Sequence, residues 1–353
     1  MNARTTATLS DLPGSRLDAA RMPGHWLLAR MGKRVLRPGG RRATRWLIEQ
    51  CAIGPEDDVV EFAPGLGSTA ALLLEHRPHS YSAVERDPAA ARIVADVVQE
   101  HAAAAVSSRV VAANATGVPL EDESASIVIG EAMLSMQPEE AKHRIVAEAA
   151  RLLRAGGRYA IHELALDDEH GPLAADIQSD MSRAIHVGVR IHSQAGWVTL
   201  LEQHGFQVEA SLLGPMRLLE PRQLLRDEGV LGLARFCMRG LRDPEARNRI
   251  RTMRTVFRHH EPHLGFIVLV ARRLPEWDLV ETRLEERDGG TWVAGICSNC
   301  GQSMAVATVA GSEAPAASVC PSGHRVRVRE LRSAGASGGS ARDHGDDGEL
   351  RRG

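Results

Sequence analysis

A glycine-rich turn between two apolar segments is the feature that most constrains the fold of this chain. Residues 57–75 read DDVVEFAPGLGSTAALLLE, with an apolar run at 59–62 before the turn and a helix-forming run after it. Gly65 and Gly67 let the backbone approach a ligand closely, and the start of the following helix offers free N–H groups. This order of elements predicts a parallel α/β sheet whose first crossover carries a ligand site.

Strand and helix patterns alternate from Val59 to His162, which predicts a doubly wound parallel sheet with right-handed crossovers. The predicted parallel strands are Val59–Phe62, Ser80–Val84, Ser108–Ala112, Ser126–Ile129 and Arg158–His162. The clearest of the connecting helices is predicted over 139–153. The run LGFIVLVARR at 264–273 is predicted to be a further, fully buried strand.

Composition and patterning divide the 353 residues into several parts. The predicted parts are an N-terminal helical extension (1–50), a main domain (51–275) that includes a helical lid (165–262), a short-stranded module (276–332) and a disordered tail (333–353). The tail is predicted to be disordered because it is small, polar and glycine-rich. Within the extension, HWLLARMGKRVLRPGG predicts one helix that ends at Pro38.

The charge and hydropathy of the chain limit its partners and compartment. A formal net charge of -2 and a pI near 6.7 give no general attraction to nucleic acid or to an anionic membrane. No apolar run approaches the ~20 residues of a spanning helix, and the N-terminus lacks an apolar signal core. We therefore expect a cytoplasmic protein without a membrane partner. A homo-oligomer is compatible with these properties.

The glycine turn predicts a nucleotide-type cofactor. Gly65-Leu66-Gly67-Ser68-Thr69-Ala70 fits the fingerprint G-x-G-x-x-A, and Glu85 follows Gly65 by twenty residues. A carboxylate at the end of the second strand can bind both ribose hydroxyls of an adenosine cofactor. NAD and S-adenosylmethionine both satisfy this pattern.

Glu61 before the turn suits a cationic amino-acid group better than a pyrophosphate, which favours S-adenosylmethionine. Asn114-Ala115 follows the third strand, where it could contact an adenine edge.

The segments VVEFAPGLG, AVERD and LLRAGGRYAIHE resemble the class I S-adenosylmethionine-dependent methyltransferases, especially their small-molecule branch. The resemblance extends from Val59 to Arg273. It implies a Rossmann-like sheet and transfer of a methyl group to a small molecule. The cofactor-binding residues that it implies are Glu61, Ala63, Gly65, Gly67, Glu85, Asn114, Ala115 and Glu131. Ala63 stands where the family usually has glycine, and Asn114 stands where it often has aspartate.

Two residues at strand ends are the catalytic candidates. Glu131 and His162 lie at the carboxyl ends of predicted parallel strands, which border the ligand crevice. Either could accept a proton if the methyl acceptor must lose one. Glu131 could instead contact the cofactor or water, and His162 could be a hydrogen-bonded core residue. In the lid, His186, Arg190 and His192 could bind an anionic substrate or a metal, or could form a solvated helix face.

A macromolecular substrate is the main alternative. APGLG followed by VERD also resembles the ribosomal RNA adenine dimethyltransferases, which carry an Asn-Leu-Pro-Tyr type segment after the fourth strand. This chain has Gly130-Glu131-Ala132-Met133 there, and its two tyrosines and five phenylalanines offer few surfaces for base stacking. These observations favour a small-molecule substrate over nucleic acid. RNA or protein methylation and a non-catalytic, cofactor-binding regulatory role are the remaining hypotheses.

The module at 276–332 carries a metal-binding pattern. Its four candidate ligands form two pairs separated by about twenty residues: Cys297-x2-Cys300 and Cys320-x3-His324. This spacing is typical of a zinc ribbon, and a closed set of three cysteines and one histidine predicts a structural zinc ion. Reduced thiols on a β-hairpin and a reversible disulfide are the alternatives. A ribbon of this kind could also recruit an RNA or protein substrate.

Overall fold

A computed structural model provides the structure of the chain. It describes residues 12–101, 105, 107–287, 290–307 and 318–328. The chain forms two compact units, Met1–Pro275 and Glu276–Gly353. The tail at 333–353, for which disorder is predicted, lies outside the described residues. No helix among the described residues is both long and apolar enough to cross a membrane.

The first unit contains a seven-stranded sheet. Its strands are β1 (Asp58–Phe62), β2 (Ser80–Val84), β3 (Ser107–Val111), β4 (Ala125–Glu131), β5 (Leu153–Leu166), β6 (Phe206–Pro215) and β7 (Leu264–Arg273). The strand order is β3-β2-β1-β4-β5-β7-β6. Strands β1 to β5 are mutually parallel, and β7 is antiparallel to both of its neighbours. The predicted doubly wound sheet and its five parallel strands are therefore confirmed.

Nine α-helices are described in the first unit, and a short 3-10 helix spans Leu134–Met136. The α-helices are α1 (Gly24–Arg30), α2 (Gly40–Cys51), α3 (Ser68–Glu75), α4 (Pro88–Glu100), α5 (Glu139–Leu152), α6 (Ala174–Ile185), α7 (Gln194–Gln203), α8 (Pro221–Arg242) and α9 (Pro244–His259). Local sequence sets several of their starts. The Asp87 carboxylate accepts the N–H groups of Ala89 and Ala90 and caps α4, with Pro88 at the first helical position.

The segment after α1 departs from the sequence prediction. The helix predicted to continue to Pro38 ends at Arg30, so that prediction is wrong. The backbone turns at Gly32, which has a φ of 98°. The N–H groups of Arg34 and Val35 then donate to Glu228 Oε1 at 2.9 and 3.0 Å. A contact across almost two hundred residues thus replaces the local hydrogen bonds that would have continued the helix.

The core lies on both faces of the sheet because successive strand residues point to opposite sides. On one face, Phe62 packs in a cluster with Tyr159 and Trp197. On the other face, Val59 packs in a cluster with Leu73. A third cluster joins lid helices to the N-terminal segment and includes Leu27, Met181, Met253 and Phe257. The third cluster fixes α1, α6 and α9 against one another.

The only two lysines of the chain, Lys33 and Lys142, have fully buried side chains. Lys33 Nζ lies 3.5 Å from Asp227 Oδ2 and 3.8 Å from Glu228 Oε1, both on α8. Lys142 Nζ donates to Glu139 Oε1 at 2.6 Å and to the Arg190 carbonyl at 2.7 Å. Both lysines therefore join segments that are distant in sequence.

The second unit is a five-stranded sheet with the order β10-β9-β8-β12-β11. Its strands are β8 (Trp277–Arg287), β9 (Gly290–Cys297), β10 (Ser303–Ala307), β11 (Ser318–Val319) and β12 (Arg325–Arg327). Its described core is small and consists of Leu279, Val293, Cys297, Val306, Cys320 and Val326. A core of this size supplies little stability by itself, so a unit like this usually needs a covalent or metal crosslink.

We predict that Lys33→Met destabilises the fold by about 3 kcal/mol because it leaves two buried carboxylates without their cation. Methionine keeps most of the side-chain volume, so the loss reports on the charge. The measurement is the free energy of unfolding in urea. Arg30→Met is the matched control: Arg30 pairs with Asp243 at 3.3 Å, but the two side chains are 33% and 26% exposed. This control should lose at most ~1 kcal/mol, and equal losses for both variants would contradict the prediction.

Candidate functional site

A cavity of about 420 Å³ lies at the carboxyl ends of the parallel strands. Six of the predicted cofactor residues line it: Ala63, Gly65, Glu85, Asn114, Ala115 and Glu131. They end or follow four neighbouring strands, β1, β2, β3 and β4, and are far apart in sequence. The carboxyl edge of a parallel sheet is where ligands bind in folds of this type, and the volume suits a small molecule.

Three other predicted residues do not line the cavity: Glu61, Gly67 and His162. Glu61 is buried in β1 and accepts a hydrogen bond from the Tyr81 hydroxyl at 2.5 Å. Gly67 precedes α3 with a φ of 70°, and a Cβ there would lie 2.9 Å from a Val97 methyl carbon on α4. Glycine is therefore needed at position 67 for backbone conformation and for close packing of the two helices.

Glu85 holds the glycine turn. Its Oε2 accepts the Gly65 N–H at 3.2 Å, and its Oε1 accepts the Asp87 N–H at 3.0 Å. The side chain is only 6% exposed, yet it lines the cavity. Ala63, where the family usually has glycine, adopts a left-handed φ of 50° and donates its N–H to the Val84 carbonyl at 2.9 Å. The turn thus keeps a glycine-like backbone with an added methyl group.

Glu131, at the end of β4, lies at the centre of a buried polar cluster. Its Oε1 accepts a hydrogen bond from Thr44 Oγ1 at 2.7 Å and contacts His162 Nδ1 at 2.9 Å. Its Oε2 accepts a hydrogen bond from Thr69 Oγ1 at 2.5 Å. Arg37 Nε lies 2.5 Å from the same oxygen. The cluster therefore joins residues from the N-terminal segment, α2, α3, β4 and β5 around one carboxylate.

These contacts fix the protonation of the cluster. Burial alone would raise the pKa of Glu131, but the Arg37 charge, the His162 contact and the Thr69 hydroxyl together lower it to about 2. The Gly39 N–H donates a hydrogen bond to His162 Nε2 at 3.0 Å. The ring hydrogen therefore lies on Nδ1, which donates a hydrogen bond to Glu131. Glu131 is thus a charged carboxylate, and both ring nitrogens of His162 are engaged.

The rest of the cavity wall is largely apolar. Five of the ten methionines of the chain line it: Met133, Met136, Met181, Met216 and Met253. Methionine is flexible and polarizable, so such a wall adapts to apolar ligands of different shape. The turn that carries Met133 is fixed by Glu163, whose Oε1 accepts the Met133 and Leu134 N–H groups at 2.9 and 2.7 Å. Burial raises the pKa of Glu163.

Arg37 and His25 are two of the polar side chains of the cavity wall that sequence reasoning missed. Arg37 lies in the segment predicted as helix, and its partner Glu131 is almost a hundred residues away, so no local pattern identifies it. Burial lowers the pKa of His25 to about 4, and its buried Nδ1 makes no hydrogen bond within the described residues. His25 is therefore neutral. It precedes an apolar helical run, and nothing in the sequence marks it as a cavity residue.

The lid cations occupy other positions. His186, Arg190 and His192 do not line the cavity. His192 contacts Glu169 Oε2 at 2.6 Å and Glu139 Oε2 at 2.9 Å. The backbone N–H of Arg190 donates to the Ser135 carbonyl at 2.8 Å. The contacts of His192 and Arg190 hold the lid to the helix and turn that follow β4.

A candidate metal centre lies within the second unit. The ligand atoms of Cys297, Cys300, Cys320 and His324 all lie within 4.8 Å of one another. The Cys300 and Cys320 sulfurs are 3.6 Å apart, and His324 Nδ1 lies 3.5 Å from the Cys320 sulfur. The Gly301 N–H donates to the Cys297 carbonyl and the Gly323 N–H donates to the Cys320 carbonyl, so each ligand pair lies in a tight turn. Three thiols and one imidazole nitrogen form a donor set that suits tetrahedral zinc.

Comparisons with known proteins agree with this architecture. The family model described as "Methyltransferase domain" matches residues 60–161. An uncharacterized protein of Haemophilus influenzae is 35% identical over 256 residues, which cover 71% of this chain and 98% of that protein. The chain belongs to the class I S-adenosylmethionine-dependent methyltransferases. The predicted family membership is therefore confirmed.

Two further similarities describe other members of this methyltransferase family and fold. The ribosomal RNA small subunit methyltransferase A of Thermobifida fusca is 42% identical over 82 residues, which cover 23% of this chain and 27% of that protein. A candidate sarcosine dimethylglycine methyltransferase from Galdieria sulphuraria has a similar solved structure, with a TM-score of 0.53 and 15% identity. That similarity covers 66% of this methyltransferase and 86% of the other chain. At this identity it shows the shared fold.

We predict that Glu61 makes the stability of the methyltransferase depend on pH. Burial raises the pKa of Glu61 from 4.5 to about 7, although the Tyr81 hydroxyl opposes the shift. Between these two values the folded protein retains a proton that the unfolded chain has released, so rising pH favours unfolding. The free energy of unfolding of wild type relative to Glu61→Gln should fall by about 3 kcal/mol from pH ~5 to pH ~8.

The measurement for Glu61 is urea unfolding at several pH values. Glu140→Gln is the control, because the Glu140 side chain is 82% exposed and should give a difference that does not change with pH. A wild-type minus Glu61→Gln difference that stays constant across the same range would contradict the assignment of the raised pKa to Glu61.

Proposed function

We propose that the protein transfers a methyl group from S-adenosylmethionine to a small, largely apolar molecule. The observation that carries this proposal is the placement of Glu85 and the Arg37–Glu131 pair in the wall of one cavity at the carboxyl ends of the strands. These groups match the two polar ends of the cofactor. The apolar remainder of the wall supports an apolar acceptor.

The adenosine end would be held by Glu85, Asn114 and Ala115. The two oxygens of Glu85 each accept one backbone N–H, which leaves lone pairs free for two ribose hydroxyls. Asn114 is exposed and Ala115 is buried in the wall, with Asn114 Oδ1 held by the Thr116 N–H at 3.2 Å. An ordered amide beside an apolar surface suits an adenine ring.

The amino-acid end would be held by charge complementarity. A methionine moiety carries an ammonium and a carboxylate, and the cavity offers a carboxylate and a guanidinium side by side. We assign Glu131 to the ammonium and Arg37 to the carboxylate, with the turn residues Ala63 and Gly65 against the chain between them. Glu61 and Gly67 do not contact the cofactor in this proposal. Glu61 supports strand β1, and Gly67 allows the backbone of the turn.

S-adenosylmethionine supplies an electrophilic methyl group when it is bound. The residues of the chain bind and orient the reactants and exclude water, which can provide much of the acceleration of a displacement. Glu131 has a pKa of about 2 and four polar neighbours, so it is suited to hold charge. His162 orients that carboxylate. The neutral imidazole of His25 also lies in the cavity wall, where its pKa of about 4 suits it to hydrogen-bond an acceptor rather than to remove a proton from it.

RNA methylation has weaker support. The ribosomal RNA methyltransferase relative matches over only 27% of its own length. In the segment where such enzymes hold the target amine, this chain has Glu131 enclosed by Arg37, Thr44, Thr69 and His162. A buried, charged carboxylate at this position offers no flat surface on which a base could stack. These contacts favour the small-molecule proposal.

We predict that isothermal titration calorimetry will show S-adenosylhomocysteine binding, weakened about tenfold or more in Glu85→Ala. Affinity falls because Glu85→Ala removes the charge-assisted hydrogen bonds to the ribose hydroxyls, each worth ~1.5–3 kcal/mol. Glu131→Gln should also weaken binding because it removes the charge that faces the ammonium. The exposed Glu140→Ala should bind as wild type does. Wild-type protein without affinity would overturn the proposal, and tight binding without methyl transfer to any extract fraction would indicate a regulatory role.

We also propose that the second unit binds structural zinc through Cys297, Cys300, Cys320 and His324. Nδ1 of His324 faces the sulfurs, while its Nε2 lies 2.9 Å from the Asn299 side-chain amide. A partner on the outer nitrogen orients a ligating imidazole and fixes its tautomer. A closed set of four protein ligands leaves no position for a substrate, which supports a structural role.

We predict one zinc ion per chain by metal analysis of purified protein, lost in Cys297→Ser/Cys300→Ser. Zinc loss should also unfold the second unit, because its small core depends on the ligands. The control is Cys237→Ser, which changes an exposed cysteine of the first unit and should keep the metal. Wild-type protein that carries no zinc after expression in zinc-supplemented medium would contradict the assignment.

A further inference from the structure

Helix α8 presents an unusual apolar surface to solvent. The helix is interrupted at Gly229, which has a φ of 72° and a ψ of 178°. Beyond this kink, six apolar residues are exposed, and we name them the α8 stripe: Val230, Leu231, Ala234, Cys237, Met238 and Leu241. The exposed fractions reach 73% for Val230, 82% for Leu231 and 71% for Leu241. These are large values for leucine and valine on a folded protein.

The α8 stripe is a continuous face of the helix. Leu231, Ala234, Met238 and Leu241 are spaced by three or four residues, which places them on one side of a helix. The same helix already packs inward through Phe236, which is half-buried against the third core cluster, and through the buried Gly232. The helix therefore has a second apolar face beyond the one used by the fold. Contiguous exposed faces of this kind mark interaction sites.

The surroundings of the α8 stripe are basic. Arg235 and Arg242 are exposed and adjoin the stripe at helical spacing. Residues 221–259, which span α8 and α9, contain ten arginines and four carboxylates, although the whole chain has a net charge of -2. One of those carboxylates, Asp227, is buried against Lys33. The α8–α9 helix pair is therefore strongly cationic, although the chain as a whole has a small negative net charge.

This combination of charge and apolarity selects among partners. A symmetric contact between two copies would set the same basic surface against itself, and the like charges would repel. RNA would satisfy the charge, but the stripe has no exposed aromatic side chain on which bases could stack. An anionic lipid bilayer satisfies both properties, because its headgroups attract arginine and its acyl region accepts leucine, valine and methionine.

We propose that the α8 stripe and its flanking arginines dock the protein on an anionic lipid bilayer. Docking fits the position of the cavity, since the neighbouring α9 contributes Met253 and Phe257 to the cavity wall. If the α8 stripe lies at the bilayer surface, the neighbouring α9 brings the apolar cavity close to molecules dissolved in the membrane. The docking itself does not rest on the proposed methyl transfer.

The test is flotation of the full chain with unilamellar vesicles. Vesicles that contain phosphatidylglycerol should bind the protein at low salt, and vesicles of phosphatidylcholine alone should bind it at least about tenfold less. Higher salt should weaken the binding because headgroup attraction is screened. Leu231→Glu/Leu241→Glu and Arg235→Glu/Arg242→Glu should each reduce binding about tenfold or more. The matched control is Leu173→Glu, which changes a leucine that is 47% exposed outside the α8 stripe.

Two further measurements test whether the variants remain folded and whether the α8 stripe instead forms a dimer contact. Thermal unfolding of each variant and its affinity for S-adenosylhomocysteine should equal those of wild type, which shows that the substitutions leave the fold and the cofactor site intact. Light scattering of wild type without lipid gives the oligomeric state. Equal binding to both kinds of vesicle, undiminished binding by the stripe variant, or a wild-type dimer that Leu231→Glu/Leu241→Glu separates into monomers would each overturn the proposal.

Discussion

The buried ionic contact between Arg37 and Glu131 is the interaction on which the site depends. Removing two charges from water is costly, and the cost is offset only because Thr44, Thr69 and His162 satisfy the same carboxylate. The contact ties the N-terminal segment to the carboxyl edge of the sheet. It therefore closes one side of the cavity while leaving a paired positive and negative group in its wall.

The fold could be predicted from local patterns because the parallel strands are almost continuously apolar and the turns between strands and helices carry glycine or a cap. The predicted Ser80–Val84 agrees with β2 at both ends, and β1 differs from its prediction by one residue. Family resemblance then supplied the cavity residues that follow the strands. Glu85 and Glu131 could be found in this way because each directly follows or ends an apolar run.

The rest of the site could not be read from local sequence because it depends on contacts between distant segments. Arg37 lies in a stretch with helix-forming composition, and contacts with remote residues such as Glu228 and Ser68 hold that stretch in an extended path. The role of the two strand-end groups, Glu131 and His162, likewise depends on partners that no spacing reveals. The overall charge does not indicate the cationic helix pair for a similar reason, because averaging over the chain hides the arginines of α8 and α9.

The burial of both lysines has a consequence for chemical modification. With Lys33 and Lys142 enclosed, the folded surface of the described residues presents no side-chain amine to solvent. Acylating reagents and enzymes that mark lysine would reach these amines only when the chain opens around them. Amine reactivity thus becomes a direct readout of local opening, at the N-terminal segment for one lysine and beneath the lid for the other.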